Sequence, residues 1–598
     1  MDMYSFYTGK SLEAHEYLGC HYNNATTIFR TFAPAASKVS VIGEFNNWTE
    51  TSMGQVHNGQ FWECEIKNAK PGMMYKYRIY RRDGMFIDHC DPYGFAMELR
   101  PGNASIVADR HNYNFNDQKW LKSRNDAKDK PLNIYELHLG SWRTNPANPN
   151  GWYTYLEIAK QLVPYVKEAG YNYIEIMPLA EHPCDNSWGY QITGFFSPTA
   201  RYGTPKDLKE MIDYCHQNNI GVILDFVPVH FAVDGYALAE YDGTCLYEYP
   251  NNAVGVSEWG SKNFMHSRGE VQSFLQSCAH YWLEEYHFDG LRMDAISNII
   301  YWHGNKDRGV NMNAVEFIKY MNSNLKQLHS GIMLIAEDST SYPNITKSVS
   351  EGGLGFDYKW DMGWMNDTLS YFKLNPEDRI SQYHKLTFSM MYYYDENFLL
   401  PFSHDEVVHG KATILQKMNG QYEGKFPQGR ALYMYMYAHP GKKLNFMGNE
   451  LGQLREWDEK RQQDWDILQF PIHDSFHRFH KDLSHLYLNT PALSEGDYIK
   501  SGFQWIDCHQ EEKCIYAFER SSATQKIFVL FNFSDKTQKY DLDAKNCNYK
   551  KLSLRLSSEE EQYGGCGSTY KNAVYEAQNG TISFEIPAFC GMFFEVIE

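Results

Sequence analysis

The chain has 598 residues, and its 56 basic and 74 acidic residues give it a net charge of −18. This length predicts two to four domains, and the absence of Lys and Arg clusters argues against nucleic acid, whose phosphates need such clusters. The twelve cysteines are scattered without a CxxC or Cys/His group. The sequence therefore predicts no zinc or other metal site, no redox motif and no cofactor.

The sequence also indicates a cellular compartment. The first twenty residues carry neither the basic segment nor the apolar segment of a signal peptide. No stretch of eighteen apolar residues follows, so no membrane span is expected. Scattered thiols suit a reducing compartment. We therefore expect a cytoplasmic protein with no membrane partner. A monomer is a separate expectation.

Short alternating strands dominate residues 1–115. The alternation in 38–50 breaks at an Asn-Asn pair, and 60–84 holds two strands joined by a Pro-Gly turn. This pattern predicts an N-terminal β-sandwich over 1–115. Residues 116–130 are charged and poor in apolar side chains, so they are predicted to be a linker.

Residues 131–488 have a different pattern, in which each apolar run of strand length is followed by a helical stretch. Continuous apolar strands that alternate with helices are typical of a parallel sheet covered on both faces. Seven or eight such units predict an α/β fold, a closed (β/α)8 barrel, with an open doubly wound sheet as the competing fold. No Gly-rich phosphate loop opens any unit, which argues against nucleotide binding. The runs are 131–142, 171–183, 220–230, 288–297, 331–339, 397–406 and 442–450.

Strand patterns return in residues 489–598. The clearest are 513–521, 526–535 and 581–596, which are rich in aromatic and β-branched side chains. They predict a C-terminal all-β domain that carries no visible chemistry.

Polar side chains stand at the C-terminal ends of the predicted barrel strands. Barrels of this kind place their catalytic groups at that rim. One polar strand end is unremarkable, because ion pairs and helix caps also occur there, but a whole set favours an active site. The residues are Glu181, His182, Asp225, His230, Arg292, Asp294, Glu337, His404, Asp405 and Glu406.

Three of these carboxylates, Asp294, Glu337 and Asp405, stand out. Two carboxylates that flank a bond are the minimal apparatus for glycosidic chemistry, since one protonates the leaving oxygen and the other attacks or activates water. Arg292 would share a strand face with Asp294 and keep it ionised as a nucleophile. Partial burial would keep Glu337 protonated as a general acid, and Asp405 would hold sugar hydroxyls.

Several segments carry a family resemblance. DFVPVH, GLRMDAIS, LIAEDST and SHDE resemble, in order, the four signature regions of glycoside hydrolase family 13, the α-amylase family. GGLGFDYKWDMGWMNDTL and LPFSHDEVVHGK resemble the bacterial-type 1,4-α-glucan branching enzymes of that family, and FRTFAPAASKVSVIGEFNNW is similar to carbohydrate-binding module family 48. The resemblance implies cleavage of an α-1,4-glucan through a covalent glycosyl-enzyme and transfer to a glucose 6-hydroxyl. The partner polymer would be amylose, amylopectin or glycogen.

The resemblance also implies roles for matching positions. Asp294 corresponds to the nucleophile, Glu337 to the general acid/base and Asp405 to the carboxylate that binds the distorted sugar. Val229 stands where many α-amylases have a calcium-ligating asparagine, which implies that calcium is not bound there. The residues corresponding to donor-sugar contacts are Tyr190, Asp225, His230, Arg292 and His404.

Two other functions are open on the sequence. The first is a family 13 hydrolase, debranching or trehalose-releasing, in which water replaces the sugar acceptor. The catalytic residues do not separate it from a transferase, but the branching-type flanks favour the transferase. The second is a non-catalytic glucan-binding scaffold, which should lack a carboxylate, whereas Asp294, Glu337 and Asp405 are all present.

Overall fold

A computed structural model of the chain describes residues 1–125, 128–567 and 572–597. Positions 126 and 127 of the predicted linker, and 568–571 and 598 of the predicted C-terminal domain, lie outside the described residues. The chain forms two compact units, each assembled from segments distant in sequence. The first comprises Met1–Asn125, His138–Gln161 and Glu175–Asp357, and the second comprises Asp126–Leu137, Leu162–Ile174 and Tyr358–Glu598.

Eight parallel strands close into a barrel and follow one another around it in chain order. They are β1 Asn133–Leu137, β2 Tyr173–Ile176, β3 Gly221–Phe226, β4 Gly290–Met293, β5 Met333–Ala336, β6 Tyr358–Trp360, β7 Phe398–Phe402 and β8 Lys442–Phe446. The first strand pairs with the last, with Asn133 opposite Lys443. The predicted closed (β/α)8 fold is therefore confirmed, and the open-sheet alternative is wrong.

Seven of the eight strands lie inside the apolar runs that predict them. Their side chains are almost all buried, as expected for a parallel sheet covered on both faces. The remaining strand, β6, has only three residues. Three residues are too few for a strand pattern to be visible in the sequence.

Helices connect most barrel strands, and local sequence sets where they begin. In the helix Pro205–Gln217 the Thr204 side chain accepts from the Asp207 N–H, the Asp207 carboxylate accepts in return, and Pro205 occupies the first turn. The connection 337–357, described throughout, contains only the 3-10 turn Val349–Glu351. The longer helices are Tyr155–Glu168, Pro205–Gln217, Gly269–Glu285, Met312–Leu328, Met362–Lys373, Tyr422–Ala438 and Pro471–Leu488. The shorter ones are Met3–Tyr7, Gln118–Ser123, Leu139–Trp142, Asn252–Gly255, Ile296–Ile300, Lys385–Phe388, Ile414–Lys417 and Ala544–Cys547.

The N-terminal region forms two antiparallel sheets, which confirms the predicted β-sandwich. The Phe29 ring of one sheet contacts the Tyr75 ring of the other, with 4.9 Å between centroids. One sheet has the order Gly19–Tyr22, Thr27–Phe32, Phe61–Ile66 and Gly54–Val56. The other has the order Thr51–Ser52, Lys38–Gly43, Met74–Tyr80 and Phe86–His89, with Ser105–Ile106 added to Met74–Tyr80.

The C-terminal region is an all-β domain, as predicted. A six-stranded sheet and a two-stranded sheet enclose an apolar core, in which Phe584 lies 5.3 Å from Phe594 between ring centroids. The larger sheet has the order Phe503–Gln510, Ile515–Ser521, Lys526–Asn532, Cys590–Ile597, Lys551–Ser557 and Val574–Glu576. The smaller one pairs Gln538–Asp543 with Thr581–Ile586. Two further pairs are Ala180–Glu181 with Gly194–Pro198, and His230–Phe231 with Lys262–Asn263.

The segment predicted as a linker contains a helix, Gln118–Ser123. Asp117 before it is buried, and its Oδ2 lies 2.8 Å from the Nδ1 atoms of both His216 and His287. The Trp120 indole N–H donates to Asp289 at 2.8 Å. Asp117 is therefore used in buried pairs, whereas Lys119 and Lys122 of the helix are exposed to solvent. None of the helices in the described ranges has the length and apolarity to cross a membrane.

Candidate active site

Arg292 organises the candidate active site of the first compact unit. Its guanidinium is 1% exposed, and Nη1 donates to both carboxylate oxygens of Asp225, at 2.7 and 2.9 Å. The same Nη1 donates to Asp294 Oδ1 at 2.8 Å, and Nη2 lies 3.2 Å from Glu337 Oε2. One buried cation thus brings three carboxylates together.

The register of the barrel strands explains this arrangement. Asp225 on β3 lies opposite Arg292 on β4. Asp294 and Glu337 each come directly after the last residue of β4 and β5, and those last residues lie opposite each other. Parallel strands in register end at the same rim, so their C-terminal residues meet there.

A residue with a left-handed backbone conformation holds the Glu337 carboxylate. Ala295 has φ +47° and ψ 44°, a conformation that costs a residue with a Cβ roughly 1 kcal/mol or more. Its N–H donates to Glu337 Oε2 at 2.7 Å, and the Ile296 N–H donates to the Glu337 carbonyl at 2.9 Å. The turn that follows Asp294 therefore holds the Glu337 carboxylate in place.

Burial distinguishes the carboxylates of this cluster. The Asp225 side chain is 1% exposed, whereas Asp294 and Glu337 are 13% and 16% exposed. Burial opposes the charge of Arg292, but the negative charge of Asp225, with that of Glu337 and Asp294, holds the pKa of Arg292 well above its ordinary value. Arg292 is therefore a permanent cation, and Asp294 and Glu337 are the carboxylates a ligand can reach.

Tyr190 and His230 complete this part of the site. The Tyr190 hydroxyl donates to Asp225 Oδ2. Burial lowers the pKa of His230 to about 4, so its ring is neutral at pH 7. Its Nδ1 is buried and has no hydrogen-bond partner among the described residues. Such an atom is costly to leave unsatisfied, and a ligand hydroxyl would satisfy it.

His404 and Asp405 lie in the second compact unit, where one serine separates them from the end of β7. His404 is 2% exposed, and its Nδ1 lies 2.5 Å from Glu136 Oε1, while its backbone N–H donates to Glu136 Oε2 at 3.0 Å. His404 Nε2 lies 3.5 Å from Asp405 Oδ1, and the Asp405 side chain is 45% exposed. Glu136 is not among the residues predicted from the sequence. Its signal is a carboxylate inside the apolar run that forms β1.

Three predicted polar strand ends make other contacts. Glu181 accepts from Arg201 Nη1 at 2.8 Å, and burial lowers the pKa of His182 to about 3. Glu406 accepts from Lys411 Nζ at 3.3 Å. The contacts of Glu181 and Glu406 are ion pairs of the kind that stabilise a fold. Across the described ranges, no group of three or more His, Cys, Asp and Glu side chains is arranged to hold a metal ion.

Comparison with known proteins identifies the family. The chain matches Carbohydrate-binding module 48 (Isoamylase N-terminal domain) at 17–94, the alpha amylase catalytic domain at 144–241 and the alpha amylase C-terminal all-beta domain at 505–597. It is 45% identical over 571 residues to the 1,4-alpha-glucan branching enzyme GlgB of Fusobacterium nucleatum, which covers 94% of this chain and 92% of that protein. The chain belongs to the GlgB family of 1,4-alpha-glucan branching enzymes.

Other curated relatives support this assignment, and solved structures share the fold. The GlgB of Bacillus subtilis is 42% identical, covering 97% of this chain and 94% of that protein. The GlgB of Geobacillus stearothermophilus is 43% identical, covering 95% and 90%. A pullulanase of an Anoxybacillus species complexed with maltotetraose aligns with a TM-score of 0.75 at 17% identity, covering 97% of this chain and 87% of that one. A putative alpha amylase of Salmonella typhimurium aligns with a TM-score of 0.73, also at 17% identity, covering 97% and 100%. At such identity the two structures show the fold alone.

Proposed function

We propose that the cluster around Arg292 performs the chain transfer of a 1,4-alpha-glucan branching enzyme. Asp294 acts as the nucleophile and Glu337 as the general acid/base. The observation that supports these roles is that Arg292 contacts both carboxylates while the Ala295 N–H orients Glu337. Two oriented, accessible carboxylates at one rim are what retaining glycosidic chemistry needs.

In the first step, protonated Glu337 gives its proton to the glycosidic oxygen of an α-1,4 bond. A carboxylate oxygen of Asp294 attacks the anomeric carbon as the carbon–oxygen bond breaks, which forms a covalent glycosyl-enzyme. The leaving chain departs with a free 4-hydroxyl. Arg292 stabilises the ionised form of Asp294 before attack.

In the second step, a glucose 6-hydroxyl of an acceptor chain takes the place of the leaving group. Glu337, now a carboxylate, removes its proton, and the oxygen attacks the anomeric carbon and releases Asp294. The product is an α-1,6 branch. The anomeric carbon is inverted twice, so the α configuration is retained, and Glu337 ends protonated as it began.

The remaining predicted residues bind the donor sugar in this proposal. Asp405 accepts from sugar hydroxyls as the ring distorts, and the neutral ring of His230 offers its unsatisfied Nδ1. The positions with the same binding role are Tyr190, Asp225, Arg292 and His404. The polymer is amylose, amylopectin or glycogen. Its sugars are neutral, so the net charge of −18 on the protein does not repel it.

We keep the predicted domain boundaries as part of the proposal: 1–115, the linker 116–130, 131–488 and 489–598. The family matches at 17–94 and 505–597 support the first and last of these. We also propose that the enzyme is a monomer and that it is cytoplasmic. The scattered cysteines without a disulfide-like spacing support the cytoplasmic location.

The catalytic roles are tested by Asp294→Ala and Glu337→Gln. Asp294→Ala should abolish transfer, because the nucleophile of the glycosyl-enzyme is gone. Glu337→Gln should leave glycogen binding intact but lower the rate by about 10³-fold or more, because the leaving oxygen loses its proton donor. Transfer is measured by the short chains that isoamylase releases from the product, and binding by affinity electrophoresis in glycogen.

The matched control is Glu316→Gln, which neutralises an exposed glutamate on the helix Met312–Leu328. It should have wild-type activity. If Asp294→Ala retained more than a trace of transfer, Asp294 would not be the nucleophile.

A further inference from the structure

A single buried carboxylate holds His404 at two points. Glu136 is 1% exposed, and its two oxygens contact the Nδ1 and the backbone N–H of His404 at 2.5 and 3.0 Å. Glu136 itself is fixed by the barrel, because it lies opposite Phe446 in β8 and its carbonyl accepts from the Met447 N–H at 2.9 Å. The His404 ring is therefore anchored to the rigid wall of the barrel.

The chemistry of the pair determines where the ring carries a proton. An ionised carboxylate can only accept, so Nδ1 of His404 must be the protonated nitrogen that faces Glu136. Nε2 is then the nitrogen turned to Asp405, at 3.5 Å. The proton on Nδ1 is thus held by a residue 268 positions away in the sequence.

A buried carboxylate–histidine pair is not explained by stability alone. Removing charged groups from water costs several kcal/mol per ion, so such pairs contribute little net stability. Accessibility also changes sharply here: the His404 side chain is 2% exposed and the Asp405 side chain after it is 45% exposed. A rigidly held His404 next to the accessible carboxylate of Asp405 suits a surface that must bind a ligand in one geometry.

We propose that Glu136 is a positioning residue for the transfer reaction. It fixes the proton and the plane of the His404 ring, and through them the orientation of Asp405 toward the distorted donor sugar. The proposal rests on the proposed function in one respect, namely that the ligand bound by His404 and Asp405 is the donor sugar. Glu136 itself is 1% exposed, so in this proposal it acts through His404 and does not contact the sugar.

The first test is Glu136→Gln, which has the same shape but only one acceptor oxygen. One N–H of His404 must then face an amide N–H, which disturbs the ring or its tautomer. We expect kcat to fall by about 10–100-fold, as for other carboxylates that orient a functional histidine. KM should stay within about threefold, because the contact matters most when the sugar is distorted. The control Glu450→Gln removes another buried carboxylate of this unit, which accepts from the hydroxyls of Tyr135 and Tyr165 and from the Gly448 N–H. It should leave kcat within about threefold.

A double-mutant cycle separates positioning from a general structural effect. If Glu136 acts through His404, then Glu136→Gln should cost nothing further in a protein that already carries His404→Gln. Equal losses of kcat in both backgrounds would overturn the proposal. So would a wild-type kcat for His404→Gln, an outcome that leaves the roles of Asp294 and Glu337 untouched.

A spectroscopic readout makes the test independent of activity. In protein labelled with ¹⁵N-histidine, the Nδ1–H of His404 should give a downfield proton signal that disappears in both Glu136→Gln and His404→Gln. The His216 ring, held by Asp117 and Asp289 at 2.8 and 3.0 Å, supplies an internal control whose signals should persist. Persistence of the His404 signal in Glu136→Gln would show that another group fixes the proton and would overturn the proposal.

Discussion

At the scale of single residues, Arg292 is the group on which the cluster depends. Three carboxylates with three negative charges surround one positive charge, a net charge of −2 when all are ionised. Arg292 offsets part of the repulsion between them. The fully buried Asp225 already accepts three hydrogen bonds from Arg292 and Tyr190. Asp294 and Glu337, the more exposed members, are therefore the carboxylates that can meet a substrate.

Val229 leads to a prediction about metal. Its buried isopropyl side chain offers no oxygen, whereas calcium takes six to eight oxygen ligands. Treatment with EDTA should therefore leave branching activity and melting temperature unchanged. A calcium-dependent α-amylase treated alongside should lose stability. A melting temperature that falls with EDTA and returns with calcium would contradict this expectation.

The candidate site was only partly predictable at this scale. Arg292 and Asp294 lie two apart in one apolar run, so alternation alone indicates that they share a face, and they are in contact although β4 ends at Met293. Glu136 could not be found in this way. In a strand that is buried on both faces, the sequence does not show toward which face a glutamate side chain points. Its partner His404 lies 268 residues away.

At the scale of secondary-structure elements, the helix Gln118–Ser123 was missed because its stabilising partners are remote. Its residues look solvated in sequence, being charged and poor in apolar side chains. The pairs of Asp117 with His216 and His287 span 99 and 170 residues. Local composition therefore gave no sign of the helix, because the residues that pair with its flanking Asp117 are distant in sequence.

The same pairing predicts a pH effect on stability. Burial opposes a charge on His216, but the negative charges of Asp289 and Asp117 raise the pKa of His216 from 6.5 to about 9. A raised folded-state pKa stabilises the fold fully below pH 6.5, and this stabilisation is lost as the pH rises through 9. The difference corresponds to about 3 kcal/mol.

His216→Gln should therefore lower the urea midpoint of unfolding most near pH 6. The deficit relative to the unsubstituted protein should shrink steadily up to pH 9.5. The exposed His384, replaced in the same way, should produce no such trend. A deficit that stayed constant from pH 6 to 9.5 would mean that the charge of His216 does not stabilise the fold.

At the scale of the whole molecule, the barrel was predictable because seven of its strands are continuous apolar runs. The partition of the chain into two compact units was not, since each unit takes its segments from distant parts of the sequence. Elements that are adjacent in sequence therefore need not belong to the same compact unit. Sequence patterns report on single elements, whereas compact units depend on long-range contacts.

The acceptor that receives the cut chain is also decided by the whole molecule. Water is present at about 55 M, so a transferase must position its acceptor well enough to exceed that concentration in effect. A glucan bound next to the glycosyl-enzyme can do so. With amylose, the iodine colour should then fall steeply while reducing ends barely increase, because each transfer consumes the anomeric carbon it exposes. Isoamylase should release short chains from the product, and Asp294→Ala should produce neither change. If reducing ends rose in step with the loss of iodine colour, water would be the acceptor and the protein would act as a hydrolase.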